Sequence, residues 1–293
     1  MPRRDQLLAV LVAIIWGLNF IAIHVGVDDV PPFLFLGIRF VLVALPLVFF
    51  IPRPSADWRA VVAIGVFMSL GQFGLLYLAL ATGMPAGLAS LVLQAQVVLT
   101  MLIAAGAIGE RSTGRQIAGA AIGTVGLVVV AVGFGADAPV LPLLVTLGAA
   151  LSWAIGNVIA RATKVASGLS LVVWSALVVP LPCFAISLVV DGPTEIGDAL
   201  AGFGWVAVAS TLYTVVGASL IGYTIFNGLM AKHPAGSVVP FILLVPPVGM
   251  LSAWLVLDEV PSAIELAGAV VMMAGVALAT ITRPRRAVPL PPD

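Results

Sequence analysis

Long apolar runs, each ended by charges or by Pro and Gly pairs, alternate along the chain with short polar connections. The runs lie at 6–27, 33–51, 59–80, 86–108, 114–134, 139–161, 169–190, 203–230, 234–257 and 262–282. A helix needs about 20 apolar residues to cross a hydrocarbon core ~30 Å thick, so the pattern predicts ten membrane-spanning helices. In lipid every backbone polar group must be paired internally, which a helix does within one segment. The fold class expected is an all-α integral membrane protein with ten transmembrane helices. The eighth run is long, and its start near Phe203 and Trp205 reads as an interfacial turn; Trp58 and Trp254 also suit the headgroup level.

Composition strengthens this picture. Of the 293 residues, 61% are hydrophobic and 9% charged, against about 25% charged in a soluble domain. Such a chain cannot cover its own surface with polar groups, so its solvent is lipid. The 13 basic and 13 acidic residues balance, so net charge points to no nucleic-acid partner. One cysteine, Cys183, excludes a disulfide framework or a cysteine-based metal cluster and reads as a small buried apolar residue. No metal and no cofactor is expected. The start, Met1-Pro2-Arg3-Arg4, resembles a secretory leader, but Leu7 to Val27 is long and has no Ala-x-Ala-like cleavage site. It reads as the first membrane helix.

Basic residues set the topology. Arg3 and Arg4, Arg53 and Arg59, Arg111 and Arg115, Arg161 and Lys164, Lys232, and Arg283, Arg285 and Arg286 all fall on one face of the ten-span arrangement. The opposite loops carry only acids, among them Asp28, Asp29, Asp137, Asp191, Glu195, Asp198 and Asp258. The positive-inside rule makes the basic face cytoplasmic. The expected location is the cell (inner or plasma) membrane, multi-pass, with both termini in the cytoplasm.

The two halves resemble each other. Pro85-Ala86-Gly87 recurs as Pro234-Ala235-Gly236, a shift of 149 residues (234 − 85). Carried without a gap, the shift aligns Met101 with Met250, Leu102 with Leu251, Glu110 with Glu259, Gly119 with Gly268 and Gly126 with Gly275. Eleven of the 47 positions from 85 to 131 are identical. Each half, 1–138 and 139–293, holds five spans. Five is odd, so the second half enters the membrane from the opposite side, which predicts two inverted five-helix repeats. Many secondary transporters are built this way, with a substrate site near the midplane between the repeats.

Polar side chains within spans are costly unless they face a cavity or a partner. Trp16 and Asn19 share a face of the first span, and Trp153 and Asn157 share a face of the sixth. Gln72 and Tyr77 lie in the third, Gln94 and Gln96 in the fourth, and Tyr213, Tyr223 and Asn227 in the eighth. At 3.6 residues per turn Gln94 and Gln96 are about 200° apart, so at most one points straight into a cavity. Pro240, Pro246 and Pro247 predict a kink in the ninth span. The expected substrate-binding residues are Trp16, Asn19, Gln72, Tyr77, Gln94, Trp153, Asn157, Tyr223, Asn227 and Pro246. The competing reading is that Asn ties helices together, Trp fills space and the kink serves packing. Arg39, inside the second span, reads as a structural ion pair with Asp28 or Asp29, with support of a cavity carboxylate as the alternative. His24 reads as interfacial, with gating or pH sensing as the alternative. No Asp or Glu lies in the middle of a predicted span, which argues for facilitated diffusion or for coupling through less obvious groups. Gly119-x-x-x-Gly123 and the glycines of the tenth span read as packing scaffold.

Five plus five spans, Trp16-Gly17-Leu18-Asn19-Phe20, Arg39, Pro-Ala-Gly opening the fourth and ninth spans, and Glu110 and Glu259 closing them resemble EamA-type members of the drug/metabolite transporter superfamily. The resemblance covers residues 6–282. Within the superfamily the chain looks most like bacterial exporters of aromatic and other neutral amino acids. It implies alternating-access export of amino acids or related metabolites from the cytoplasm. The implied partners are a small-molecule substrate and the lipid bilayer, with the chain read as a monomer. A carrier of an anionic or nucleotide-linked compound is the rival within transport and would want basic residues in the cavity. A membrane-embedded enzyme would need clustered nucleophiles, acids or metal ligands at membrane depth, and no catalytic residue is assigned. A channel would need an ion filter, and no charged ring is present.

Overall fold

A computed structural model describes residues 1–110, 112–133, 139–163, 168–233, 238 and 241–280. The described residues are helical apart from turns, bends and short irregular connections, with no strand among them. Seven helical stretches are long and apolar enough to cross a membrane: Arg3–Asp29, Trp58–Ala81, Ala86–Ala107, Gly114–Gly133, Val140–Thr163, Leu169–Val190 and Trp205–Met230. Pro32–Val48, Val245–Leu257 and Ala263–Ala279 are shorter apolar helices. Large apolar side chains point outward, Leu102, Leu181 and Val189 among them, as a lipid solvent allows.

In chain order the helices are α1 (Arg3–Asp29), α2 (Pro32–Val48) and α3 (Trp58–Ile64), which runs through a π-helical segment, π1 (Gly65–Gly71), into α4 (Gln72–Ala81). Then come α5 (Ala86–Val92), α6 (Ala95–Ala107), α7 (Gly114–Gly133), α8 (Val140–Thr163), α9 (Gly168–Ala176) and α10 (Pro180–Val190). A short helix that the hydrophobic pattern did not predict, α11 (Gly192–Ala201), precedes α12 (Trp205–Leu212). A second π segment, π2 (Tyr213–Gly222), joins α12 to α13 (Tyr223–Lys232), followed by α14 (Val245–Leu257) and α15 (Ala263–Thr280). No residue of α11 is buried, and Thr194, Glu195 and Asp198 give it a polar face, so it lies on the surface of the bundle.

Several local devices recur at the 149-residue spacing. Thr113 and Gln116 form a capping box at the start of α7: the Thr113 N–H donates to Gln116 Oε1 at 2.8 Å and the Gln116 N–H to Thr113 Oγ1 at 3.3 Å. Ser262 and Glu265 do the same for α15, at 2.6 and 3.2 Å. Helix α6 ends on Gly109 with φ 68°, and α14 on Asp258 with φ 55°. After each, a glutamate N–H reaches back to an alanine carbonyl, Glu110 to Ala104 at 3.2 Å and Glu259 to Ala253 at 3.3 Å. The π segments also correspond, since 65–71 shifted by 149 is 214–220, inside π2.

Three predicted spans are interrupted, the seventh by a turn at Leu177–Val179 between α9 and α10. The fourth breaks at Leu93–Gln94 between α5 and α6. In the ninth a turn at Leu243–Leu244 precedes α14, whose first turn holds Pro246 and Pro247. Proline fits a helix start because its missing N–H has no partner to lose there. The proline cluster thus opens a new helix. Pro240 and the Pro234-Ala235-Gly236 motif lie outside the described residues, as do Arg111, Asp137, Lys164, Arg283, Arg285 and Arg286.

The core is built on α1, α2, α4, α5 and α8. Helices α7 and α15 pack against each other through glycine: a Cβ on Gly119 would stand 2.5 Å from the Ala279 nitrogen, and one on Gly268 2.7 Å from the Val130 nitrogen. Such backbone approach replaces side-chain interdigitation with main-chain contact.

Candidate functional site

A cavity of about 940 Å³ lies among α1, α2, π1, the α5–α6 break, α8 and π2. Its walls hold seven of the ten expected binding residues. Trp16, Asn19, Gln72 and Gln94 line it from the first half of the chain; Trp153, Asn157 and Tyr223 line it from the second. Tyr77, Asn227 and Pro246 are not on its wall. Tyr77 is fully buried one layer behind. Asn227 donates back along its own helix to the Tyr223 carbonyl at 2.8 Å, and Pro246 is buried at the start of α14.

Gln94 and Gln96 both reach the cavity, contrary to the expectation from helical spacing. The reason is the break. Gln94 and Gln96 donate their N–H groups three residues back, to Leu91 and Leu93, rather than four. The rotation between them is therefore not that of a continuous α-helix. Gln96 Oε1 accepts from Asn157 Nδ2 at 3.0 Å, tying α6 to α8 across the wall.

The π segments meet the cavity on two sides. A π turn displaces carbonyls from their usual donors, and each segment here has one carbonyl served by a side chain from another helix. Trp16 Nε1 donates to the Ala218 carbonyl in π2 at 3.0 Å, and Ser152 Oγ on α8 donates to the Phe67 carbonyl in π1 at 2.7 Å. The Trp16 ring sits 5.2 Å from the rings of both Tyr223 and Phe226. The aromatic wall is therefore fixed in orientation by one hydrogen bond and two ring contacts.

Arg39 is the residue that the sequence reading placed wrongly. It forms no ion pair with Asp28 or Asp29, which lie exposed at the end of α1. Among the described residues no carboxylate comes within 4.0 Å of its guanidinium. It is 2% exposed and lines the cavity. Its Nη1 donates to Tyr77 Oη at 3.0 Å and its Nη2 to Ser219 Oγ at 3.1 Å. The guanidinium carbon stands 4.6 Å from the Phe73 ring centroid. The outlier status of Arg39 among the basic residues was a usable signal, because an intramembrane charge is a site by default. Ser219 carried no such signal, since a hydroxyl near a helix backbone is common.

The ends of the cavity differ. One end is lined by Glu110 and Arg161, which pair at 2.6 Å with about half of each side chain exposed (48% and 51%). Toward the other end, Glu259 clamps the start of α5. Its Oε1 accepts from the Ala86 N–H at 2.8 Å and its Oε2 from the Gly87 N–H at 3.0 Å. Gly87 also lies close against α14, where an added Cβ would stand 3.0 Å from the Met250 Cα.

A protein of Escherichia coli (strain K12) named "Probable amino-acid metabolite efflux pump" is 40% identical over 282 residues, covering 94% of each chain. A "Probable terminal-alkyne amino-acid exporter" of Streptantibioticus cattleyicolor is 30% identical, over 92% of this chain and 91% of that one. A solved crystal structure of a protein of 19% identity shares the fold, with a TM-score of 0.65 over 96% of this chain and 97% of that one. The EamA-like transporter family matches residues 5–132 and again 140–281. With nearly the whole chain matched in two consecutive copies, the protein belongs to the EamA-like transporter family.

Proposed function

We propose that the protein exports amino acids, aromatic and other neutral ones, or closely related metabolites from the cytoplasm by alternating access. The architecture proposed is ten membrane helices in two inverted five-helix repeats, 1–138 and 139–293. Support for the repeat comes from the capping boxes, left-handed helix ends and π segments at the 149-residue spacing, and from the family match in two copies.

The observation that carries the transport reading is the inequality of the cavity's two ends. The cavity reaches the exposed Glu110–Arg161 pair at one end, while Glu259 holds α5 against α14 toward the other. Arg161 belongs to the basic face, so the open end is the cytoplasmic one in this reading. Such an asymmetry suits a carrier awaiting cargo from inside. The names of the relatives supply the amino-acid class. The walls suit it: Trp16, Tyr223 and Phe226 offer aromatic surface, and Gln72, Gln94 and Asn19 offer amide groups. Glu110, the acid on the described wall, is already paired with Arg161. Facilitated diffusion is therefore the proposed mode.

Purified protein in liposomes loaded with a panel of labelled amino acids tests this reading. Neutral amino acids should leave at a rate that imposed proton or sodium gradients do not multiply. Absence of movement for every neutral amino acid would overturn the substrate class, and gradient-driven accumulation would overturn the passive mode.

A further inference from the structure

The geometry points to Arg39 as the anchor for the substrate's carboxylate, and to Asn19 Oδ1 as the acceptor for its ammonium group. The inference rests on the transport reading and deepens it: the cargo is a free, zwitterionic amino acid, recognised at both charged ends.

The argument starts from charge. A cation held at membrane depth needs a counter-charge or full hydrogen bonding. Arg39 sits seven residues into α2 from Pro32, about 10 Å below that helix end at 1.5 Å per residue. It has two neutral hydroxyl partners and the face of Phe73, and no carboxylate among the described residues. Its buried Nε–H has no hydrogen-bond partner. A guanidinium presents its donors as a planar fork that matches a carboxylate in a bidentate pair. With Nη1 and Nη2 each spending one donor on Tyr77 and Ser219, the second N–H of each is left for a ligand.

An unmet acceptor is on α1. Asn19 is 7% exposed and lines the same cavity, and its buried Oδ1 has no hydrogen-bond partner. Its counterpart in the second half, Asn157, is engaged with Gln96. Asn19 stands ten residues from the Asp29 end of α1, about 15 Å, roughly one helical turn deeper than the Arg39 backbone, a span within reach of the long arginine side chain. Trp16 and Arg39 bond to consecutive residues of π2, Ala218 and Ser219. This brings the aromatic wall and the cation to one turn of one helix. A carboxylate on Arg39, an ammonium on Asn19 and an apolar side chain against Trp16 and Tyr223 is the resulting arrangement.

Charge counting separates this cargo from the rival. The charged residues on the described wall are Arg39, Glu110 and Arg161, and the last two neutralise each other. One uncompensated positive charge fits one carboxylate. A nucleotide-linked diphosphate would bring more negative charge than this wall meets.

The test uses the full chain in proteoliposomes and in detergent. In wild-type protein, unlabelled phenylalanine should compete with efflux of labelled phenylalanine. Its amide and methyl ester, which lack the carboxylate, should compete at least tenfold more weakly. 3-Phenylpropionate, which lacks the amine, should fall between. Arg39→Gln should raise the apparent KM for phenylalanine at least tenfold and abolish the preference for acid over amide. Arg39→Lys, which keeps the charge and loses the fork, should retain part of both. Asn19→Leu should weaken phenylalanine while leaving 3-phenylpropionate unchanged. Equal competition by acid and amide in the wild type would overturn the anchor, as would an intact acid preference in Arg39→Gln. If no amino acid moves at all, the transport reading fails on its own. A thermal-shift series with 3-phenylpropionate and its amide then judges Arg39 separately, because stabilisation by the acid alone, lost in Arg39→Gln, upholds the anchor and its absence refutes it.

Discussion

Removing the Glu259 carboxylate should open the far end of the cavity. Glu259 makes two charge-assisted hydrogen bonds to the first N–H groups of α5, at 2.8 and 3.0 Å. A hydrogen bond to a charged group contributes about 1.5–3 kcal/mol net. Glu259 is only partly buried, so the lower part of that range applies. In Glu259→Gln one oxygen still accepts and the amide nitrogen faces a donor, which loses one bond, about 1–2 kcal/mol. Glu259→Ala loses both, about 2–4 kcal/mol. If these bonds form only while this end is shut, their loss acts on the conformational equilibrium rather than on overall folding. At 1.4 kcal/mol per decade, the open population should then rise roughly tenfold in Glu259→Gln and more in Glu259→Ala. Ser90 is a suitable reporter, 2% exposed and on the cavity wall one turn beyond Gly87. With Cys183 replaced by Ala, Ser90→Cys should react about ten times faster with an impermeant thiol reagent applied from the Glu259 side when Glu259→Gln is added. Glu110→Gln is the control. It removes an exposed ion pair worth about 0–1 kcal/mol and should leave Ser90→Cys labelling unchanged. Unchanged labelling in folded Glu259→Ala would show that the carboxylate does not hold this end shut.

Trp153→Ala and Asn157→Ala should each lower transport with folded protein retained; normal rates in both, measured in proteoliposomes, would remove them from the substrate path. Gly126→Leu should prevent α7 and α15 from closing, because a Cβ there already runs into the Met272 backbone. The expected loss exceeds about 3 kcal/mol by the overpacking and backbone terms together, read as loss of monodisperse protein in detergent; a normal melting temperature would refute the packing. Asp258→Gly should be neutral or stabilising by up to about 1 kcal/mol, since Asp258 holds φ 55° where its counterpart in the first half is already glycine. A lowered melting temperature would mean that the Asp258 side chain contributes more than its backbone costs.

Seven of the expected spans and most of the polar faces were legible because lipid imposes one simple demand, that backbone groups pair within a helix and apolar side chains face out. The correspondence between the two halves was legible at Glu110 and Glu259 but understated. Thr113 with Gln116 and Ser262 with Glu265 count as mismatches by identity, yet perform the same capping chemistry. Gly109 and Asp258 likewise differ as letters and agree as left-handed helix ends. What escaped was whatever depended on helix irregularity. The 100° rotation per residue that separated Gln94 from Gln96 fails at a break, and neither Leu93 nor Gln94 is a helix breaker by type. The π segments contain Gly65, Gly71, Gly217 and Gly222, but glycine is common throughout this chain. Asn227 looked like a site residue and serves its own helix, because an amide can always find the carbonyl one turn back. Arg39 was misjudged because proximity in sequence to Asp28 and Asp29 suggested a partner. Helix α2 instead turns that side chain into the bundle.

Under the proposed inversion, symmetry itself sorts these residues. A device present in both halves must serve both faces of the membrane in turn, so it belongs to the machinery of alternation. The capping boxes, the left-handed ends, the π segments and the interrupted fourth and ninth spans are of this kind. A group whose partners differ between the halves reports which face is open. Glu259 on the α5 backbone and Glu110 on Arg161 are such a pair. A group present in one half alone has no role that alternation requires of it. Arg39 is such a group: the seventh span, 169–190, which corresponds to its own, contains no basic residue. A buried cation that stabilises neither the fold through an ion pair nor the exchange through symmetry is best explained by the cargo. Under the proposed transport function, the one uncompensated charge on the described wall is the anchor for what the protein carries.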